Sequence, residues 1–302
     1  MAEELVCRDY RQDEMKTPVH MGVGGEAIPV GVMAALPKGT RCFGTYRNHS
    51  LYLSCGGPLD AFFAELYGRA PGPGKGKAGS MHLACPDQGL IATSAVVGTT
   101  VPLALGAAFA EKVRGSDAVV PVFFGDGAAE EGVFWETLNF ALLRKLRVLF
   151  VCEDNGLAIH TPSAERQGYP SLTAAAAAFG CPTAEGDGAD AVAVRDAAAT
   201  MAAAMRREGG PGLLRFTYLR VLEHVGPQED WPAGYRARPA DAELSRMDPV
   251  KRHEARLKAE GVPAASLETV RAEVTAAVES SAAAMRRAPF PDAAELLTDV
   301  TG

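Results

Sequence analysis

Residues 119–155 read VVPVFFGDGAAEEGVFWETLNFALLRKLRVLFVCEDN. The run from Val119 to Phe124 is apolar and β-branched, as a strand buried on both faces requires. Phe134, Leu138, Ala141 and Leu142 follow at helical spacing, which predicts a helix starting near Ala128. Val148–Val151 is a second apolar run and predicts a second buried strand. Strand, helix and strand at this length make a βαβ unit with parallel strands. Asp126 then lies just past the carboxyl end of one strand, and Asn155 past that of the next. In open α/β sheets that edge is where ligands bind.

Two oxygen-bearing side chains meeting there suit a hard cation such as Mg²⁺. This ion takes one or two protein oxygens and leaves its other positions to phosphate and water. Gly125 and Gly127 carry no side chain, so a phosphate can approach the backbone. The N–H groups and dipole of a helix starting at Ala128 face an anion as well, with Glu130 and Glu131 in its first turn. The stretch reads as a metal–diphosphate cradle. A second Gly-Asp-Gly, at Gly186–Gly188, follows Cys-Pro-Thr-Ala-Glu rather than an apolar run, and no Asn follows a second strand. It reads as a turn.

The surrounding chain has 302 residues, 47% hydrophobic and 22% charged, with a formal net charge of −7. That is an ordinary globular composition with length enough for a large core. No basic stripe favours nucleic acid. The longest apolar stretch, Ala95–Ala110, is interrupted by Gly98, Pro102 and Gly106 and is too short to span a membrane. The start, Met-Ala-Glu-Glu-Leu-Val-Cys-Arg, shows no signal-peptide pattern. Cys7, Cys42, Cys55, Cys85, Cys152 and Cys181 form no CxxC pair, which predicts free thiols in a reducing, cytoplasmic setting.

The segment from Gly125 to Asn155 resembles the thiamine-diphosphate motif of the α subunit of 2-oxo acid dehydrogenase E1 components. That family includes the pyruvate, branched-chain 2-oxo acid and acetoin dehydrogenases. The resemblance runs over about residues 15–255 and implies the thiamine-diphosphate-binding α/β fold: a parallel sheet covered by helices on both faces. Residues 1–302 then form a single domain with helical extensions at both ends.

Further segments carry the resemblance. Thr17–Ala27 is similar to the family's active-site His segment and places His20 at the catalytic histidine, although Gly25 replaces the usual Gln. Tyr46-Arg47-Asn48-His49 matches the Tyr-Arg-x-His element, whose Tyr and Arg hold the cofactor diphosphate; an Arg fork fits phosphate oxygens. Pro71–Gly79 with Ser80-Met81-His82 matches a glycine-rich loop near the site. Val97 matches the turn that holds the aminopyrimidine, and Thr100 is expected to cap the next helix, which Gly115 ends. The resemblance makes Asp126, Asn155 and the carbonyl of Leu157 the metal ligands. It sets Gly125, Gly127 and Ala128 against the diphosphate. Arg220 and His224 match a loop at the reacting end of the cofactor, and His224 joins His20 as a catalytic candidate. Val225 stands where mitochondrial relatives carry a phosphorylated Ser, and Glu223 replaces a Gly.

The resemblance therefore implies decarboxylation of a 2-oxo acid such as pyruvate with thiamine diphosphate and Mg²⁺, the acyl group passing to a lipoyl carrier. It implies an α₂β₂ heterotetramer with a β-type subunit that supplies the activating Glu, and a lipoyl acyltransferase beyond it. Two alternatives are an acyloin-forming or acyl-transferring enzyme of a biosynthetic pathway and a non-catalytic scaffold subunit. Towards the C-terminus, residues 241–260 and 264–287 are predicted helices, and no separate domain is evident.

Overall fold

The computed structural model describes residues 1–299. Its strands are β1 (Cys42–Thr45), β2 (Leu90–Ser94), β3 (Val120–Gly125), β4 (Val148–Asp154), β5 (Leu157–Ala158), β6 (Thr161–Pro162), β7 (Thr183–Asp187) and β8 (Gly212–Thr217). Six of them form one parallel sheet in the order β2-β1-β3-β4-β8-β7. β5 and β6 make a small antiparallel hairpin.

The alternation of side chains along the central strands splits the core into two layers. Phe123, Leu149, Val151, Leu214 and Phe216 face one layer. There they meet Ile28 and Val32 of helix Ala27–Ala34 and Val194, Ala198 and Met201 of helix Ala191–Glu208. Val122, Phe124, Phe150 and Leu213 face the other. Their partners are Val101 and Ala104 of helix Thr100–Val113 and Phe134 and Leu138 of helix Gly132–Arg144. Phe134 packs against Phe124 and Phe150 with ring centroids 5.2 and 5.6 Å apart, and each such buried ring stabilises by about 2 kcal/mol.

Register decides what the sheet presents. Gly125 on β3 pairs with Glu153 on β4, and Asp154 on β4 pairs with Thr217 on β8. The chains leaving these strands emerge side by side, so Asp126, Asn155 and Tyr218 reach one edge. Phe43 on β1 pairs with Val122, which brings Tyr46 and Arg47 to the same edge.

Several boundaries differ from the sequence reading. The chain after β3 first makes a 3₁₀ turn over Asp126–Glu130, and the α-helix begins only at Gly132, with Glu131 as its extended N-cap. Glu130 and Glu131 thus precede the helix instead of filling its first turn. Thr99, not Thr100, occupies the N-cap of the next-door helix, and its hydroxyl bonds back to Val96 instead of capping. The second Gly-Asp-Gly is not a free turn: Gly186 and Asp187 end the exposed edge strand β7. Asp187 there accepts from Ala189 N and ion-pairs with Arg252. The predicted helix 241–260 is divided at Asp248, whose side chain caps a new helix with Pro249 in its first position. The N-terminal helix spans Ala2–Arg11.

The glycine-rich loop 71–79 is held from inside. Both Glu65 carboxylate oxygens accept backbone N–H bonds, from Gly74, Gly76, Ala78 and Gly79 at 2.7–3.1 Å. Lys75 and Lys77 are paired with Glu295 and Asp299 of the C-terminal segment. No described helix is long and apolar enough to cross a membrane.

Candidate functional site

The sheet edge opens into a cavity of about 240 Å³. Tyr46, Arg47, Val97, Gly125, Asp126, Gly127, Ala128, Asn155, Leu157 and His224 all line it, each a position singled out from sequence.

Asp126 is buried, with opposite fates for its two oxygens. Oδ2 accepts from Arg166 Nη2 at 2.5 Å and from the Ser163 hydroxyl at 3.3 Å. Oδ1 is buried without a partner. Asn155 repeats the pattern. Its Nδ2 donates to the Tyr218 hydroxyl at 3.1 Å, and its Oδ1 is buried without a partner. Buried acceptors left unpaired cost stability until a hydrogen-bond donor or a cation meets them. Two bare oxygens in one cavity, one of them anionic, form a donor set that fits a hard cation. Burial and the nearby Asp154 charge push the Asp126 carboxyl up, against the pull of Arg166 and Ser163. A bound cation would act in the same direction as Arg166 and favour the carboxylate. Asp154 itself is held by Arg215 at 2.6 Å and by Gly156 N at 2.8 Å.

The two glycines of the cradle differ. A Cβ at Gly125 would meet only the Glu153 carbonyl, 4.0 Å away, so this wall stays open to the cavity. A Cβ at Gly127 would stand 2.8 Å from the Ala158 Cβ. Gly127 therefore makes room for the β5–β6 hairpin to lie on the turn. Arg47 donates to the carbonyls of Met21 and His224, the latter at 3.2 Å. It clamps the two histidine-bearing loops together while lining the cavity.

Those loops are also zipped by backbone: His20 bridges Gly226, and Gly226 N donates to Val19 O at 2.8 Å. The His20 ring lies 4.4 Å from Tyr46 and 5.1 Å from His224, centroid to centroid. His20 stands behind Tyr46 and outside the cavity lining, with its Nδ1 unpartnered. Burial, then the Arg47 and His224 charges, lower His20 to about 3. Burial, then Arg47 and Arg220, lower His224 to about 4. Both imidazoles are neutral at pH 7, ready to accept a proton but not to supply a fixed positive charge.

Arg220 does not reach the cavity. Its buried guanidinium donates to Leu222 O, Ile159 O and the Tyr235 hydroxyl at 3.2, 2.9 and 2.7 Å. It braces the 220–236 loop together with Asp230 and Arg236. The loop 71–79 lines none of the cavity either; Ser80 touches the site only through His49 at 2.7 Å and Asn48 at 3.1 Å.

The sequence reading missed Tyr218, Glu153 and Arg166. Glu153, on the cavity wall, is pushed by burial to about 8 and so carries its proton at neutral pH. Tyr218 answers the departure at Gly25: a Cβ at Gly25 would stand 3.0–3.3 Å from the Tyr218 ring. The missing side chain gives that ring its place beside Asn155. Register alone carries a signal for Tyr218, since it follows β8 as Asn155 follows β4.

The sequence matches the family described as Dehydrogenase E1 component over residues 2–294. The acetoin:2,6-dichlorophenolindophenol oxidoreductase α subunit of Cupriavidus necator is 35% identical over 306 residues, covering 99% of this chain and 89% of that protein. The pyruvate dehydrogenase E1 component α subunit of Rhizobium meliloti is 35% identical over 283 residues, covering 93% and 80%. An acetoin:2,6-dichlorophenolindophenol oxidoreductase α subunit of Bacillus subtilis is 34% identical over 299 residues, covering 99% and 89%.

Proposed function

The chain belongs to the dehydrogenase E1 component family, and we propose that it is the α-type subunit of a 2-oxo acid dehydrogenase that uses thiamine diphosphate and Mg²⁺. The observation that carries the site is the pair of bare, buried oxygens, Asp126 Oδ1 and Asn155 Oδ1, in one cavity at the sheet edge. Asp126, Asn155 and the Leu157 carbonyl are the proposed cation ligands. Tyr46, Arg47 and the open backbone at Gly125–Ala128 take the diphosphate. Val97, exposed at the cavity mouth, meets the aminopyrimidine end.

Thiamine diphosphate, when bound, supplies a thiazolium ring that accepts the electrons released as CO₂ leaves a 2-oxo acid. The chain's own part is to anchor and to handle protons. Neutral His224 at the cavity wall accepts or returns a proton at the reacting end. His20 orients Tyr46 and His224 from behind. Arg47 keeps both loops closed on the site.

The cofactor needs a second polypeptide. Leu103, Phe109 and Val113 on helix Thr100–Val113 are exposed, as are Phe140 and Leu143 on helix Gly132–Arg144. Gly106 lies along the same helix with open space where a Cβ would stand. An apolar face of this kind, next to Val97, supports a β-type partner in an α₂β₂ assembly with the cofactor at the junction. A lipoyl acyltransferase is the proposed acceptor of the acyl group. The free thiols support a cytoplasmic setting.

The relatives divide between acetoin and pyruvate at equal identity. The deciding assay gives the reconstituted subunit pair a panel of 2-oxo acids, with acetoin included, and an artificial electron acceptor. Turnover of a 2-oxo acid that needs both subunits and thiamine diphosphate supports the proposal. Turnover of acetoin alone shifts the substrate, and no turnover of any compound overturns the reading.

A further inference from the structure

Segment 157–170 lies across the Asp126–Glu130 turn, and one side chain fastens it there. Arg166 is 9% exposed in its side chain. Its Nη2 donates to Asp126 Oδ2 at 2.5 Å and its Nη1 to Glu130 Oε1, so the fork spans both ends of the turn. Nε donates to Thr161 O at 2.9 Å, which ties the fork back to the hairpin. Gln167 adds a bond to Glu130 at 3.3 Å, and Ser163 one to Asp126 at 3.3 Å. The fit beneath is close, since Gly127 has no Cβ to hold Ala158 away.

The geometry points to Arg166 as a positioning residue that couples closure of segment 157–170 to the cation site. By claiming Oδ2 of Asp126, it fixes the plane of the carboxylate and leaves Oδ1 bare toward the cavity. The guanidinium faces two carboxylates, so the cluster keeps a net negative charge for a cation. The planar fork reaches the two carboxylates through two separate nitrogens held in one plane; a Lys ammonium offers a single nitrogen and cannot reproduce that reach or fix the plane of the carboxylate. The coupling runs in both directions: a loosened segment frees Asp126 to rotate, and a cation on Oδ1 holds the turn on which the segment rests. This inference rests on the cation reading proposed above.

The test uses the full chain assembled with its β-type subunit and compares wild type with Arg166→Gln, Arg166→Lys and Glu130→Gln. Hydrogen exchange of residues 157–170 without Mg²⁺ is the first arm. Arg166→Gln and Arg166→Lys should each speed exchange about tenfold, with a smaller effect for Glu130→Gln, which cuts one prong and leaves Asp126 paired. Unchanged exchange in Arg166→Gln, or full rescue by Lys, overturns the fastening. The second arm titrates Mg²⁺ against thiamine diphosphate binding. The Mg²⁺ needed for half-saturation should rise about tenfold or more in Arg166→Gln. An unchanged or lowered requirement overturns the coupling. A wild type without Mg²⁺-dependent binding instead overturns the proposed function, and the exchange arm still decides whether Arg166 holds the segment.

Discussion

Asn155 gives its side-chain amide to the hydroxyl of Tyr218 at 3.1 Å, and that bond leaves the amide oxygen bare. A planar amide has two ends of similar shape and opposite polarity. Committing the N–H end to Tyr218 decides which end a cation can use.

Tyr218→Phe tests this relationship. The ring stays and the amide loses its acceptor, so Asn155 can turn its NH₂ toward the cavity. Mg²⁺ for half-maximal cofactor binding should rise about tenfold, in the range seen when partners of metal ligands are removed. Gly25→Gln should act the same way by crowding the Tyr218 ring, which a Cβ there would approach to 3.0 Å. A titration in which both variants overlay the wild type would remove Tyr218 from the account.

His20 predicts a pH effect with a definite sign. Its folded value is lowered to about 3 from an ordinary 6.5, so the unfolded chain takes up the proton first. Stability should therefore fall as pH drops from about 6.5 toward 3, by at most about 1.4 kcal/mol per pH unit from this group. His20→Gln should flatten that slope in denaturant melts run across pH. The same variant should lower turnover well beyond any loss of cofactor affinity. A His20→Gln enzyme with wild-type turnover would make the residue structural only.

The exposed face of helix Thr100–Val113 predicts a partner defect. Phe109→Glu places a charge on the exposed side of the helix that carries Leu103 and Val113, without touching the buried Val101, Ala104 or Ala108. The variant chain should melt close to wild type, since Phe109 is 46% exposed. It should fail to co-elute with the β-type subunit in size exclusion. Unchanged co-elution would move the interface elsewhere.

Asp126 and Asn155 are legible in the sequence because both follow long apolar strands that could hardly be anything else. β3 and β4 bury their side chains on both faces, and that burial writes itself as uninterrupted hydrophobicity. β1, β2 and β7 leave no such trace: Cys-Phe-Gly-Thr is four residues long, and Thr-Ala-Glu-Gly-Asp is a solvent-facing edge. The strand order is invisible as well, because pairing between distant segments is not a local property. The start of the helix after β3 is misread for a related reason. Ala128, Ala129, Glu130 and Glu131 are good α-helix formers, but the turn must first pass beneath the hairpin. Arg166 and Tyr218 belong to no motif. Their roles arise from where the loop and the β8 terminus come to rest.

The central claim is that Asp126 and Asn155 hold a cation that in turn holds thiamine diphosphate. Calorimetric titration of thiamine diphosphate into the assembled subunits, with and without Mg²⁺, tests it most directly. The wild type should bind only with Mg²⁺. Asp126→Ala, which removes the site's carboxylate, should show no Mg²⁺-dependent binding while far-UV dichroism stays native. Asp187→Ala, which breaks an exposed pair with Arg252 and a local bond from Ala189 N, should bind as the wild type does. Undiminished, Mg²⁺-dependent cofactor binding by Asp126→Ala would contradict the account.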